Sequence, residues 1–430
     1  MTTMSEGKHK MIFPAQRMIV VVAVCTWTGY VAYLRWRRQR FVQSNAEAAL
    51  AASVSEDIFD ANKDIERKQS PPTFTSGPSL NNGIGASTWR VHHLLTSTEL
   101  FFEAWLAMSS RGLFATYAIP SISSVLHHTG GFGKDMERRY ADMELLIREF
   151  NENAVDGTVD FCGQPGRATL ALHRLNAIHQ EYAHLITYKD MVYVLSVFAV
   201  APSSWFATRW SWRNITEAER ECVYRHWCNI GQLMGLDITM HFKNWDEMRD
   251  YKRAYEQKYM HFSPSNQLVV YATIEFFIRG VIPSCLRNMA RPVVLQLMSS
   301  LQESPKHAEA LGLPNAHPVI ATLVDIVLSV RAVLCRYFLP PRPLSRTHRL
   351  TGRTCTKIND MQDSLFGGHA CPFGASYRPL RPLDFNNKTY TPEGVSGNSY
   401  QIENMGPRQI PPGMVCPNPS YLGHKEKKII

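Results

Sequence analysis

The chain reads as all-α: a single large helical domain behind one N-terminal transmembrane helix, with an irregular C-terminal tail. Three observations predict it. Apolar residues recur at helical spacing through most of 88–340. Alternating strand patterns are scarce, and neither a glycine-rich phosphate loop nor an internal repeat is present. A charge-free apolar run at 18–34 ends in the basic cluster Arg35, Arg37, Arg38 and Arg40.

The elements run in order behind a short 1–17 segment. The run 18–34 approaches the length an α-helix needs to cross the hydrocarbon layer, and Trp27, Tyr30, Tyr33 and Trp36 enrich its C-terminal part. A basic block directly behind the apolar core is the wrong flank for signal cleavage, so an anchor is expected. The charge bias places the C-terminal bulk of the chain in the cytosol. Residues 35–87, with Pro71, Pro72, Gly77 and Pro78, are expected to form a basic flank and linker.

The folded body, 88–340, opens with the helical spacing of 99–106. A helix over 136–150 puts Met136, Tyr140, Met143 and Ile147 on one face; another runs from Arg167 to about Ile186, after the break at 162–166. The almost wholly apolar 191–200 is too short to span a bilayer and is expected in the core. Thr216 caps a helix whose first turn carries Glu217 and Glu219 and which stops before Gly235; Asn244 starts the next. Further apolar helices are expected at 273–281 and 318–338. Asp325, Arg331 and Arg336 mark the last as a core or membrane-grazing helix rather than a second span. The tail 341–430 is rich in proline, glycine and basic residues and is expected to wrap the domain irregularly.

Composition narrows the function. With 45% hydrophobic and 19% charged residues the chain can bury a substantial core. The net charge of +9 is not gathered on one helix among stacking aromatics, so nucleic acid is not the expected partner; a lipid surface is. Nine scattered cysteines without a C-x-x-C pair suggest reduced thiols. The ending Lys427-Lys428-Ile429-Ile430 has the dilysine pattern of a retrieval address for the endoplasmic reticulum, which works in the cytosol. In that topology Asn214 and Asn387, although in acceptor sequons, are expected unmodified.

The most informative segment for chemistry is Arg174-Leu175-Asn176-Ala177-Ile178-His179, with the apolar 191–198 behind it. His179 is either a haem-iron ligand on an apolar face or a hydrogen-bonded core histidine. Glu181-x-x-His184 has half the spacing of a di-iron bundle site, without a second copy. His92-His93 and His127-His128 read as surface or loop residues.

The RLNAIH block, the MVYVLSVF run and the later segments EAERECVYRHWCNIGQLMGL and NWDEMRDYKRAYE, in this order, resemble the MpaB and rubber-oxygenase family over roughly 117–266. The resemblance implies a helical domain holding haem b, with His179 as proximal iron ligand and dioxygen as co-substrate. It also implies an arginine and polar neighbours over the distal face, for which Arg139 and Asp142 in the 138–143 block are the matching positions. Arg139 and Asp142 could equally form an ordinary helical charge face. Met143 departs from the threonine frequent in relatives, and the rubber enzymes' distal lysine has no clear counterpart. The implied reaction is oxidative cleavage of a double bond in the farnesyl-derived side chain of a prenylated aromatic, a phthalide in mycophenolic-acid-type metabolism, at the endoplasmic reticulum membrane. The reading from another class is a non-catalytic membrane protein that keeps the helical fold for binding or trafficking.

Overall fold

The computed structural model describes residues 6–67, 82–133, 135–153, 155, 166–341, 402–407 and 409–417. Among them every regular element is helical. The order is α1 (Glu6–Arg67), α2 (Asn82–His93), a π-turn (Leu94–Glu99), α3 (Phe101–Leu106), a second π-turn (Ala107–Gly112), α4 (Leu113–Tyr117), α5 (Pro120–His128), α6 (Met136–Glu152), α7 (Arg167–Glu181), α8 (Tyr188–Phe206), α9 (Glu217–Leu233), α10 (Ile238–His241), α11 (Trp245–Tyr259), α12 (Pro264–Val281), α13 (Arg287–Leu301), α14 (Pro305–Ala310) and α15 (Pro318–Tyr337). A short segment, 402–417, lies without regular helix beyond one turn at Ile402–Asn404.

Local signals explain several boundaries. Thr216 and Glu219 form a reciprocal capping box at the start of α9, a device that stabilises a helix start by about 1 kcal/mol. Gly235, at φ +73, ends the same helix. Asn244 accepts the Glu247 amide to begin α11. α8 is the core helix its apolar run predicts: Val192, Tyr193, Val197 and Phe206 are fully buried. It packs against α9, α11 and the second π-turn.

The linker expected over 35–87 is corrected at both ends, where 35–67 continue α1 and 82–87 begin α2. Helix α1 continues to Arg67, because Val31, Arg35, Val42, Ala46 and Ala49 recur at helical spacing and are buried against α2, α9 and α15. A buried stripe carried partly by Ala46 and Ala49 is too weak to read in the sequence, yet small side chains let helices approach closely. Before Val31 the outward side chains of α1 are exposed, among them Val21, Val22 and Val24. The side chains at 18–20 lie outside the described ones, so the run 18–34 is covered only in part. Among the described residues the helix with the length and hydropathy of a membrane span is Pro318–Tyr337. The proline-rich part of the linker, the break at 162–165, Asn387 and the terminal dilysine also lie outside the described residues.

His92 and His93 are corrected too. Both are buried, His92 stacked on His226 at 4.3 Å between ring centroids and His93 on Trp89 at 5.4 Å. Burial lowers the His92 pKa to about 4 and that of His226 well below its ordinary value.

Candidate functional site

A cavity of about 820 Å³, within the range typical of small-molecule sites, is enclosed mainly by helices α4 to α9 and α12. α6 contributes Met143, Leu146, Ile147 and Phe150, and α7 contributes Leu175, Ile178 and His179. α8 adds Met191, Val194, Leu195 and Phe198, with Trp227 and Ile230 from α9 opposite. α4, α5 and α12 complete the wall with Tyr117, Ile122, Leu126 and Ala272. Most of this surface is aliphatic or aromatic, so a ligand lying here exchanges water for hydrocarbon.

Helix α7 divides its faces between two tasks. Leu175, Ile178, His179 and Tyr182 follow the i, i+3, i+4, i+7 spacing and line the cavity. Arg174 and Asn176 instead hold the segment 402–417. The Arg174 guanidinium donates from Nε to the Met405 carbonyl at 2.7 Å, and from Nη1 to Pro411 at 2.9 Å and Met414 at 2.8 Å. Asn176 donates to the Leu233 carbonyl at 2.8 Å, and the Cys416 amide donates to the His173 carbonyl at 2.9 Å. Ile402, Met405 and Ile410 are buried under this strap. Gly406, at φ +108, lies so close to α7 that a Cβ there would stand 2.6 Å from Ile178 Cδ1. Gly406, Pro407 and Gln409 form part of the cavity wall.

His179 reaches the cavity. Burial, reinforced by the positive Arg139, lowers its pKa to about 4, so the imidazole is neutral near pH 7. The residues expected with it, Arg139 and Asp142, line the same cavity but are not paired with each other. Asp142 Oδ2 lies 3.4 Å from Arg138 Nε and accepts the Gly406 amide at 3.0 Å, which ties α6 to the strap. Arg139 packs its guanidinium 4.4 Å from the Phe132 ring centroid and donates to Thr129 Oγ1 at 3.4 Å. No carboxylate among the described residues pairs with it, and burial lowers its pKa. Tyr117, across from Arg139, is pushed up to about 12 by burial and stays a neutral phenol. Arg139 and Asp142 form no solvated charge face: Asp142 is fully buried and both turn inward.

The di-iron reading does not fit. α7 ends at Glu181, so Glu181 and His184 do not share a helical face, and both are exposed. Among the described residues, the cluster with metal-compatible geometry is Glu256, Glu303 and His307, outside the cavity. There the Lys252 ammonium lies 2.8 Å from Glu256 and 3.3 Å from Glu303, supplying the positive charge itself. His127 and His128 are exposed, as expected, and stand at the cavity rim.

Sequence reasoning missed the strap contacts. The signal was present in a charged and an amide residue, Arg174 and Asn176, set among apolar positions, and in the Gly406-Pro407 pair. Neither names its partner, because the contact joins positions more than 200 residues apart.

The comparisons with known proteins bear on this site. Residues 158–348 match the family "ER-bound oxygenase mpaB/B'/Rubber oxygenase, catalytic domain". Over 253 residues the chain is 28% identical to the ER-bound oxygenase mpaB' of Penicillium brevicompactum, covering 56% of each protein. It is also 28% identical to mpaB of the same organism, covering 56% of this chain and 54% of that one. Against mpaB of Penicillium roqueforti the identity is 33% over 162 residues, which is 34% of this chain and 51% of the relative. The chain thus spans about half the length of the curated relatives it matches. His179 and Arg174 lie inside the family match, whereas Arg139, Asp142 and the strap lie outside it. Residues 158–348, which supply α7 and the parts of the cavity wall on α8, α9 and α12, match the catalytic domain of the ER-bound oxygenase mpaB/B'/rubber oxygenase family, and the chain is similar to MpaB-type oxygenases.

Proposed function

We propose that the protein is a haem-dependent oxygenase, held at the endoplasmic reticulum membrane, that cleaves a carbon–carbon double bond in the prenyl side chain of an aromatic small molecule. One observation carries this reading: within the family-matched segment, a neutral imidazole, His179, enters an apolar cavity of about 820 Å³. The donor set fits a b-type haem. An imidazole, apolar walls and a partly buried cation, Arg139, without a carboxylate partner among the described residues would suit such a group and its acidic substituents. Haem b, when bound, supplies the activation of dioxygen that side chains here cannot provide.

The remaining work falls to the chain. His179 would hold the iron through a ring nitrogen from α7, whose position is fixed by the Arg174 and Asn176 contacts to the strap and to Leu233. Met143, Ile147, Val194 and Phe198 give an isoprenoid chain a dry bed and exclude water. Arg139 holds positive charge over the cavity. Asp142, committed to Arg138 and the Gly406 amide, positions α6 rather than moving a proton. In the overall reaction one alkene and one dioxygen give two carbonyl fragments. The relatives' names, ER-bound oxygenases, support both the reaction class and the location. The topology we favour is single-pass through α1 with the C-terminal domain cytosolic, supported by the arginine cluster at 35–40.

Absorption spectroscopy of the purified chain tests this. The expected result is a Soret band that is lost in His179→Ala, together with chain-shortened carbonyl products from a farnesylated phthalide. Arg139→Leu is expected to lower turnover at least tenfold. A colourless, well-folded protein would sink the proposal and leave the non-catalytic membrane-binding alternative.

A further inference from the structure

Helix α15 is built inside out for a water-soluble protein. Its two mid-helix charges turn toward the body: Arg331 Nη1 lies 2.7 Å from Glu103 Oε1, and Asp325 Oδ1 accepts from Trp210 Nε1 at 2.8 Å. The outward face is aliphatic, with Leu323, Ile326, Val327, Val330 and Val333 each about half exposed or more. An amphipathic helix in water does the reverse. α13 packs beside α15 and continues the face with Met289 at 74% and Val293 at 53% exposure. So broad an apolar patch marks a site of contact.

The occupant is given by the residues that border the patch. α15 is clasped to the apolar part of α1: Trp27 Nε1 donates to the Phe338 carbonyl at 2.9 Å, and Arg35 donates twice to the Leu339 carbonyl, at 3.0 and 2.7 Å. The described part of the charge-free run of α1, 21–34, and the outward face of α15 therefore form one apolar surface, interrupted by no outward carboxylate among the described residues. Aromatic and arginine side chains at this junction are the residue types that settle at a membrane interface. We propose that the α13 and α15 face is immersed in the acyl chains of the bilayer that α1 enters, so that the domain is seated in the membrane rather than tethered above it. This rests on the membrane reading of α1 given above. It adds a second, independent lipid contact.

Lipid-soluble carbene photolabelling of the full chain in phosphatidylcholine vesicles, with peptide mapping, separates the two. The expected result is label on 18–34, 287–301 and 318–337, and none on the charged surface of α11. Val327→Glu with Val330→Glu should reduce label on 318–337 at least fivefold while 18–34 stays labelled and the helical circular dichroism is retained. Label confined to 18–34 would overturn the seating and leave the anchor standing. Label absent from 18–34 as well would overturn both. An unlabelled α15 that instead cross-links to α15 of a second copy would make the face a dimer interface and overturn the lipid assignment.

Discussion

Replacing Arg174 with methionine keeps an unbranched side chain of similar length on α7 and removes its grip on the strap. The wild-type guanidinium makes three short hydrogen bonds to backbone carbonyls of 405–414, in a setting where its own exposure is 1%. Bonds to a charged group are each worth roughly 1.5–3 kcal/mol net, which sets a ceiling of roughly 5–9 kcal/mol. The loss cannot reach that ceiling, because a released strap rehydrates its carbonyls and because neighbouring bonds are not additive. Roughly 4 kcal/mol is the expected cost to strap docking, about a thousandfold in its opening equilibrium. Ile402, Met405 and Ile410 would then be exposed together. Hydrogen exchange on the full chain reads this directly: the amides of Met405, Gly413 and Cys416, bonded to Ile402, Glu403 and His173, should lose protection while those in α8 keep theirs. Unchanged protection at these amides, or a uniform loss across α8 as well, would refute the assignment of Arg174 as the clasp of a separately opening strap.

Gly406→Ala should destabilise the strap by about 2 kcal/mol or more, since it combines a left-handed φ with a methyl 2.6 Å from Ile178 Cδ1; adding Ile178→Val should recover part of the loss in thermal melts. The buried His92 and His226 hold their pKa below the unfolded value near 6.5, so the unfolded chain binds more protons in acid. Stability should be full above about pH 6.5 and fall on acidification toward pH 4, by up to roughly 1.4 kcal/mol per pH unit for each group, and His92→Phe should flatten that slope in denaturant titrations. Glu219→Ala removes both the bidentate partner of Arg213, at 2.9 Å on each nitrogen, and the reciprocal cap of α9; a loss of about 3–5 kcal/mol is expected by chemical denaturation.

The features legible in the sequence divide from the rest by range. The helices over 136–150 and 216–233 come from local spacing and caps, and Met136, Thr216 and Leu233 stand at the boundaries those signals predict. The cavity face of α7 was legible as an apolar stripe with one imidazole in it, because both features lie within a few turns. The depth of His92 and His93 was not, since two adjacent histidines look polar until α9 brings His226 against them. Nor was the extension of α1 beyond 41, where alanine carries the stripe. Asp325 and Arg331 on α15 were rightly seen as interruptions of an apolar run, but only three-dimensional structure tells that both are turned to the body and leave the apolar side outward.

The cavity is assembled from three stretches of chain that meet only on folding. The family-matched segment brings His179 and the apolar walls of α8 and α9. α6, before it, brings Arg139 and Asp142, and the strap, after it, brings Gly406 to the Asp142 carboxylate. Asp142 is thus a residue where the outer two stretches join: its partners include Arg138 on its own helix and a backbone amide 264 positions away. A carboxylate so placed reads in the sequence like half of a surface pair, yet its charge is compensated inside the protein, where an unpaired one would be costly. Arg139, one residue along the helix from Arg138, lines the same cavity and has no carboxylate partner among the described residues.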